Sequence, residues 1–449
     1  MDFRFSREFL LGAATSAYQV EGAVREDGRG ASIWDVFSHE QGHVWNECTG
    51  DEACDHYHRY LDDVQLITHL GLNAYRFSIA WPRIFPEKGV LNQKGLAFYR
   101  GLLDALKERN ITPVVTLYHW DLPQWIEDEG GWRSRDTIDY FVDYAETVFR
   151  ELGDSVPLWI THNEPWCVAF LGHATGEHAP GRKNWHEAVA VAHHVLLSHG
   201  RTVNLYRRMG LKGQIGITLN LTPIEPGTQE AQDVTFAQIA DGNSNRWFLD
   251  ALFRGAYSED MTALYAQFFG ALDFIQKEDL QEIAAPIDFL GVNYYTRNRV
   301  VFDPTSDLFG LRALEPVGEV TAMGWEVAPE SLYQLLCRVR DEYTRLPIYI
   351  TENGAAYDDQ LNAGEVHDEL RIQYLRGHIE AASRFVQDGG LLKGYFVWSL
   401  LDNFEWAFGY GKRFGLVYVD YNTQVRTVKD SGKWLRDMIS AESITKAAD

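Results

Sequence analysis

Two glutamates stand where a carboxylate can do chemistry. Glu164 sits in THNEP (161–165) and Glu352 in TENG (351–354), each directly after a short apolar run. If both runs are strands of one barrel, the two side chains can face each other across its mouth. A pair placed so can cleave a glycosidic bond: one carboxylic acid protonates the leaving oxygen, and the other carboxylate attacks the sugar or activates water. Either glutamate alone has a plainer reading. One before Pro165 can simply end a strand, and one before Asn353-Gly354 can open a turn. Their surroundings favour the chemical reading. Trp81, Trp120, Trp166 and Trp398 lie at the ends of such runs, with Trp325 and Trp406 in loop-like sequence. Aromatic faces stack on the apolar C–H faces of sugars, while Gln19, His119, Asn163, Asn293 and Glu405 can bind hydroxyls.

These side chains need a scaffold, and the sequence supplies one. Eight strand-like runs recur, at 9–19, 73–81, 112–120, 157–165, 214–220, 288–296, 347–354 and 394–400. Each is nearly continuously apolar or β-branched, as expected of parallel strands buried on both faces. Helical periodicity fills the intervals, in stretches starting at Gly95, Asp136, Trp185, Glu330 and Arg371. Strand alternating with helix, without a linker or a shift in composition, predicts a single (β/α)₈ barrel domain over residues 1–449. The runs end in Gln19, Arg76, His119, Asn163 with Glu164, Asn293 with Tyr295, Glu352 and Trp398, with Asn220 a weaker case. In a barrel those ends share the rim that carries active sites.

Composition removes other classes. A formal net charge of −23 argues against a phosphate-backbone partner, which needs clustered Lys and Arg. No apolar run reaches the ~18 residues of a membrane span. The N-terminal stretch lacks the basic start and long apolar core of a signal peptide, so the chain reads as cytoplasmic. Cys48, Cys54, Cys167 and Cys337 form no disulfide framework. Cys48, Cys54, His56 and His58 lie close together, but the cysteines are six apart, wider than common zinc hooks. The favoured reading is a helix opening at DHYHRY, with both histidines packed near its start, and no metal.

One resemblance covers residues 8–437. The stretches FLLGAATSAYQVEGA, YRFSIAWPRIFP, YHWDLPQW, NEPW, HAPG, FLGVNYYT, IYITENG, GYFVWSLLDNFEWAFGY and KRFGLVYVDY occur in that order. Together they resemble glycoside hydrolase family 1, the β-glucosidase family. The resemblance implies a (β/α)₈ barrel and cleavage with retention of anomeric configuration, with no cofactor. It implies that Glu164 is the acid/base and Glu352 the nucleophile, supported by Arg76 and Tyr295. It places Gln19, His119, Trp120, Asn163, Asn293, Trp398, Glu405, Trp406 and Phe414 around the non-reducing sugar. Trp166, Leu171, His178 and Trp325 fall on the aglycone side. One position departs from the pattern: His162 stands where the family usually has an aromatic or aliphatic residue. Strand alternation predicts that it points away from the site.

The expected substrate is a small β-glycoside: cellobiose, cello-oligosaccharides or aryl β-glucosides, with side activity on β-galactosides and β-fucosides. Gln19 and Glu405 together can hold a 4-hydroxyl in either orientation. A 6-phospho-β-glycosidase is the nearest alternative. Its phosphate would meet Glu405, Lys412 and Phe414, and a charged Glu405 would repel it. A sugar-binding barrel without activity is disfavoured because both glutamates are present, and a metal-dependent barrel enzyme because no convincing ligand set is.

Overall fold

A computed structural model describes residues 5, 6, 8–306 and 309–441. Eight strands close into a parallel barrel: β1 (Leu10–Ala14), β2 (Ala74–Ser78), β3 (Thr112–Tyr118), β4 (Leu158–Asn163), β5 (Gln214–Asn220), β6 (Phe289–Asn293), β7 (Ile348–Asn353) and β8 (Leu392–Trp398). Each pairs with its neighbours in sequence, and β1 closes the ring against β8, with Leu10 opposite Gly394 and Ala14 opposite Trp398. Every residue of β2, β4, β6 and β7 is buried. That double-sided burial explains why these strands read as continuous apolar runs. All eight predicted runs overlap a barrel strand; the last begins two residues late, and all but 214–220 run on past the strand's end. Residues 17–20 after β1 and 81–84 after β2 turn into short helices.

The outer ring follows the predicted periodicity. It includes α1 (His56–His69), α2 (Gln93–Glu108), α3 (Asp136–Leu152), α4 (Trp185–Met209), α5 (Pro329–Glu342), α6 (Glu369–Gln387) and α7 (Asp430–Ser440). The sequence reading named no helix between β5 and β6. The structure places four there, Ala231–Asp241, Trp247–Arg254, Glu259–Phe269 and Asp279–Ile283. None exceeds three turns, and a π-helical turn at Gly242–Arg246 breaks the register between the first two, so no long amphipathic stripe forms.

Two details of the barrel bear directly on the site. The pairing of β4 with β5 slips between Ile160 and Asn163, and that of β7 with β6 slips between Ile350 and Glu352. Both glutamate-bearing strands are thus bulged at their ends, a device that re-aims a side chain. Two glycines permit close approaches there. A Cβ on Gly291 would fall 2.2 Å from the Thr218 hydroxyl, and one on Gly354 would fall 1.8 Å from the Trp398 carbonyl.

Trp81 is not at the rim. It stacks on Tyr144 at 4.8 Å in the layer between barrel and helices. The clustered cysteines and histidines do not converge either. His56 pairs with Asp63 at 2.8 Å, His58 with Asp55 and Glu26, and the Cys54 thiol donates to the Asp402 carbonyl. No described helix is long and apolar enough to cross a membrane.

Candidate active site

The C-terminal ends of the strands open into a cavity of about 390 Å³. Of the site residues inferred from sequence, all but Gln19 and Arg76 line it. Glu164 follows β4 with a backbone φ of 50°, a left-handed turn that is uncommon outside glycine. Glu352 lies in β7 itself. Both are buried, at 5% and 3% exposure, so neither can rely on bulk water to carry a charge.

Their partners differ, and the difference sorts them. Glu352 accepts from the Arg76 guanidinium at 2.6 Å on one oxygen and from the Tyr295 hydroxyl at 2.6 Å on the other. Glu164 accepts only from the Asn293 amide at 2.7 Å and, more weakly, from the Cys167 thiol at 3.2 Å. Burial, and then the charge of Glu352, push the Glu164 carboxyl up to about 8. Burial also raises Glu352, but Arg76, Tyr295 and Asn293 oppose it. A single proton held by the pair therefore belongs on Glu164, and the charge on Glu352. Tyr295 stays a neutral donor, since burial and the Glu352 charge push its own ionisation far up.

A second layer fixes the first. The Asn163 amide oxygen accepts from Arg76 at 2.7 Å and from Asn293 at 3.0 Å, which leaves its amide nitrogen for His119 Nε2 at 3.1 Å. His119 is neutral, driven down by burial and by Arg76. Thr351 donates to the Asn293 side-chain oxygen at 2.7 Å and accepts from Thr218 at 3.1 Å. The small Gly291 is what lets these threonines come so close. Trp120, with φ of 79°, donates its indole N–H to the Asn163 carbonyl at 2.9 Å.

Trp398, Glu405, Trp406 and Phe414 line the cavity too. Burial, helped by the charges of Glu352 and Glu164, pushes Glu405 up to about 8, while a hydrogen bond from Trp398 opposes the rise. Glu405 Oε2 and His119 Nδ1 are buried polar atoms without a protein partner among the described residues. Buried polar atoms need such a partner, and sugar hydroxyls can supply it. Trp166, Leu171, His178 and Trp325 also line the cavity, with Trp120, His178 and Trp406 in mutual ring contact.

Over nearly its whole length, residues 1–444, the chain matches the family model described as Glycosyl hydrolase family 1. It belongs to that family. It is 48% identical to Beta-glucosidase A of Acetivibrio thermocellus over 97% of this chain and 98% of that protein. It is 44% identical to a bifunctional beta-D-glucosidase/beta-D-fucosidase of Bifidobacterium breve over 99% of this chain and all of that one. The family 1 b-glucosidase of Thermotoga maritima superposes with a TM-score of 0.94 at 47% identity, covering 98% of this chain and 99% of that one. The chain is a glycosidase, hydrolysing O-glycosyl bonds.

Set against the sequence expectations, the geometry brings nearly all the named residues together. His162 points outward as predicted, donating to or accepting from Ser198 at 2.8 Å and stacking on Phe141 at 4.4 Å. Gln19 is fully buried, with its amide nitrogen donating to Asn403 and the Phe404 carbonyl and its oxygen accepting from Ser16. Lys412 donates to the Ala322 carbonyl at 2.5 Å. The charge argument against a phosphate changes too, because Glu405 is held partly protonated near neutrality. From the sequence, Cys167 is considered only as a disulfide partner, and its contact with Glu164 is not anticipated. Its signal was its place three residues after Glu164, one helical turn away.

Proposed function

We propose that this family 1 glycosidase is a retaining β-glucosidase. It removes terminal non-reducing β-D-glucosyl residues from cellobiose, cello-oligosaccharides and aryl β-glucosides. It also acts on β-galactosides and β-fucosides, and it carries this chemistry on one barrel domain. The observation that carries the reading is the unequal pairing of two carboxyls in one cavity: Glu352 with a cation and a hydroxyl, Glu164 with an amide and a thiol.

The mechanism follows from that inequality. Ionised Glu352 attacks C1, the bond from C1 to the glycosidic oxygen breaks, and the Glu164 proton passes to the departing oxygen. The glycosyl ester has no charge on Glu352, so the largest electrostatic cause of the raised Glu164 pKa disappears. Glu164, now ionised, takes a proton from water as that water attacks C1, and Glu352 leaves with the electron pair of the ester bond. Asn163 and Asn293 sit between the carboxyls, where a sugar hydroxyl gains its strongest contact as charge builds at C1. Glu405 Oε2 and His119 Nδ1 receive the hydroxyls farther from the bond that breaks.

A 6-phosphoglycoside is a poor fit on different grounds from charge alone. Lys412, two residues before Phe414, is engaged with the Ala322 carbonyl, and Phe414 has no donor to offer. Proton NMR of an aryl β-glucoside digest tests the proposal: the β-anomer of glucose must appear first, and cellobiose must be cleaved in preference to its 6-phosphate. An α-anomer appearing first overturns the double displacement.

A further inference from the structure

Most large aromatics of this chain are buried, yet two are exposed beside the cavity. Trp45 is 57% and Phe408 44% exposed. Phe408 lines the cavity and Trp45 does not, so the pair spans from the mouth outward. Tryptophan is rarely so accessible, and exposed apolar surface rimmed by polar groups marks an interaction site.

The pair is built, not accidental. Trp45 lies at the head of a turn whose next two residues, Asn46 and Glu47, both take left-handed backbone, at φ of 55° and 53°. This turn is clamped to the Phe408 loop. The Tyr410 hydroxyl donates to the Thr49 carbonyl at 2.7 Å, while within the loop itself Gly411 N–H donates to the Phe408 carbonyl at 3.0 Å. A Cβ on Gly409 would fall 2.7 Å from Cys48 Cβ, and one on Gly411 would fall 3.2 Å from the Trp45 ring. Only residues this small let the indole lie against the loop. On the other side, the Lys412 ammonium stands 5.6 Å from the Phe408 ring centre and bonds Ala322, next to Met323 and Trp325 of the cavity wall. Phe408 and Trp325 line the cavity, and Trp45 packs just outside it on the Phe408 loop, at Gly409 and Gly411.

We propose that Trp45 and Phe408 form an outer sugar-binding platform for the reducing-end units of a β-glucan oligosaccharide longer than the disaccharide. This rests on the β-glucosidase reading above. A β-linked glucose unit carries its hydroxyls at the edge and presents apolar C–H groups on both faces, which an indole or phenyl face covers. Continuity with the cavity through Phe408 selects a chain already held by its other end over a second copy of the protein.

The test is kcat/KM for cellobiose, cellotriose, cellotetraose and cellopentaose, measured on the full chain and on Trp45→Ala, with sedimentation velocity at assay concentration. The platform predicts that efficiency of the parent rises once the substrate is long enough to reach Trp45. Trp45→Ala loses that gain, by roughly fivefold for burial of part of one aromatic face, and keeps cellobiose unchanged. Trp45→Phe retains part of the gain. An equal effect at every length, no length dependence in the parent, or a change confined to association state overturns the platform. Failure of the parent to cleave cellobiose at all overturns the β-glucosidase reading instead.

Discussion

Replacing Arg76 with methionine removes the cation from Glu352 while keeping most of the side-chain volume. Arg76 and Glu352 are both almost wholly buried, with side-chain exposures of 1% and 4%, so water cannot take the place of the guanidinium. Breaking a buried pair by deleting one partner costs about 3–5 kcal/mol. If ~3 kcal/mol of that falls on the ionised form of Glu352, its pKa rises by about two units, at 1.36 kcal/mol per unit. The sign is set by which form works: attack needs the carboxylate, so activity is lost below the raised value. The acid limb of kcat/KM moves up by about two pH units, and well below it the loss approaches about a hundredfold. Glu352 then competes with Glu164, itself near 8, for the same proton, so the bell also narrows. The assay is kcat/KM against pH on an aryl β-glucoside with a good leaving group, with a thermal melt to confirm folding. Arg76→Lys shifts the limb less. A loss that is uniform with pH, with the acid limb unmoved, refutes the electrostatic role.

Other residues give separate outcomes. Glu164→Gln slows substrates with poor leaving groups far more than those with good ones; equal losses on both in a leaving-group series exclude it as the acid. The Cys167 thiol stabilises ionised Glu164, so Cys167→Ala moves the alkaline limb of kcat/KM upward by less than about one unit, and Cys167→Ser restores it. Glu405→Gln lowers kcat/KM on β-glucosides about ten- to hundredfold, through loss of a buried carboxyl oxygen that takes a sugar hydroxyl, without creating activity on a 6-phosphate. A gain on the phosphate shows that charge on Glu405, rather than the engagement of Lys412, sets the substrate class.

The barrel was legible because parallel strands buried on both faces leave an unbroken apolar signal, and because five of the helices between them are long and periodic. The insertion between β5 and β6 was not, since its short helices change register at a π-helical turn. The reacting carboxyls were legible through strand ends and family motifs. What those signals could not carry was contact. Trp81 follows a strand as Trp120 and Trp398 do, yet it packs outward on Tyr144. The Thr218–Thr351–Asn293 chain depends on how close three strands approach, which Gly291 permits and no spacing in one strand reveals. The raised pKa of Glu405 needs the burial and neighbouring charge that only packing creates.

The central claim is that Glu352 becomes covalently bonded to the sugar while Glu164 does not. A 2-deoxy-2-fluoro-β-glucoside with a good leaving group slows the second displacement and traps the first product. Peptide mapping by mass spectrometry after inactivation then locates the ester. The label is predicted on the peptide containing Glu352, with complete loss of activity at one sugar per chain. A label on Glu164 or Glu405, or turnover with no covalent adduct, contradicts the account.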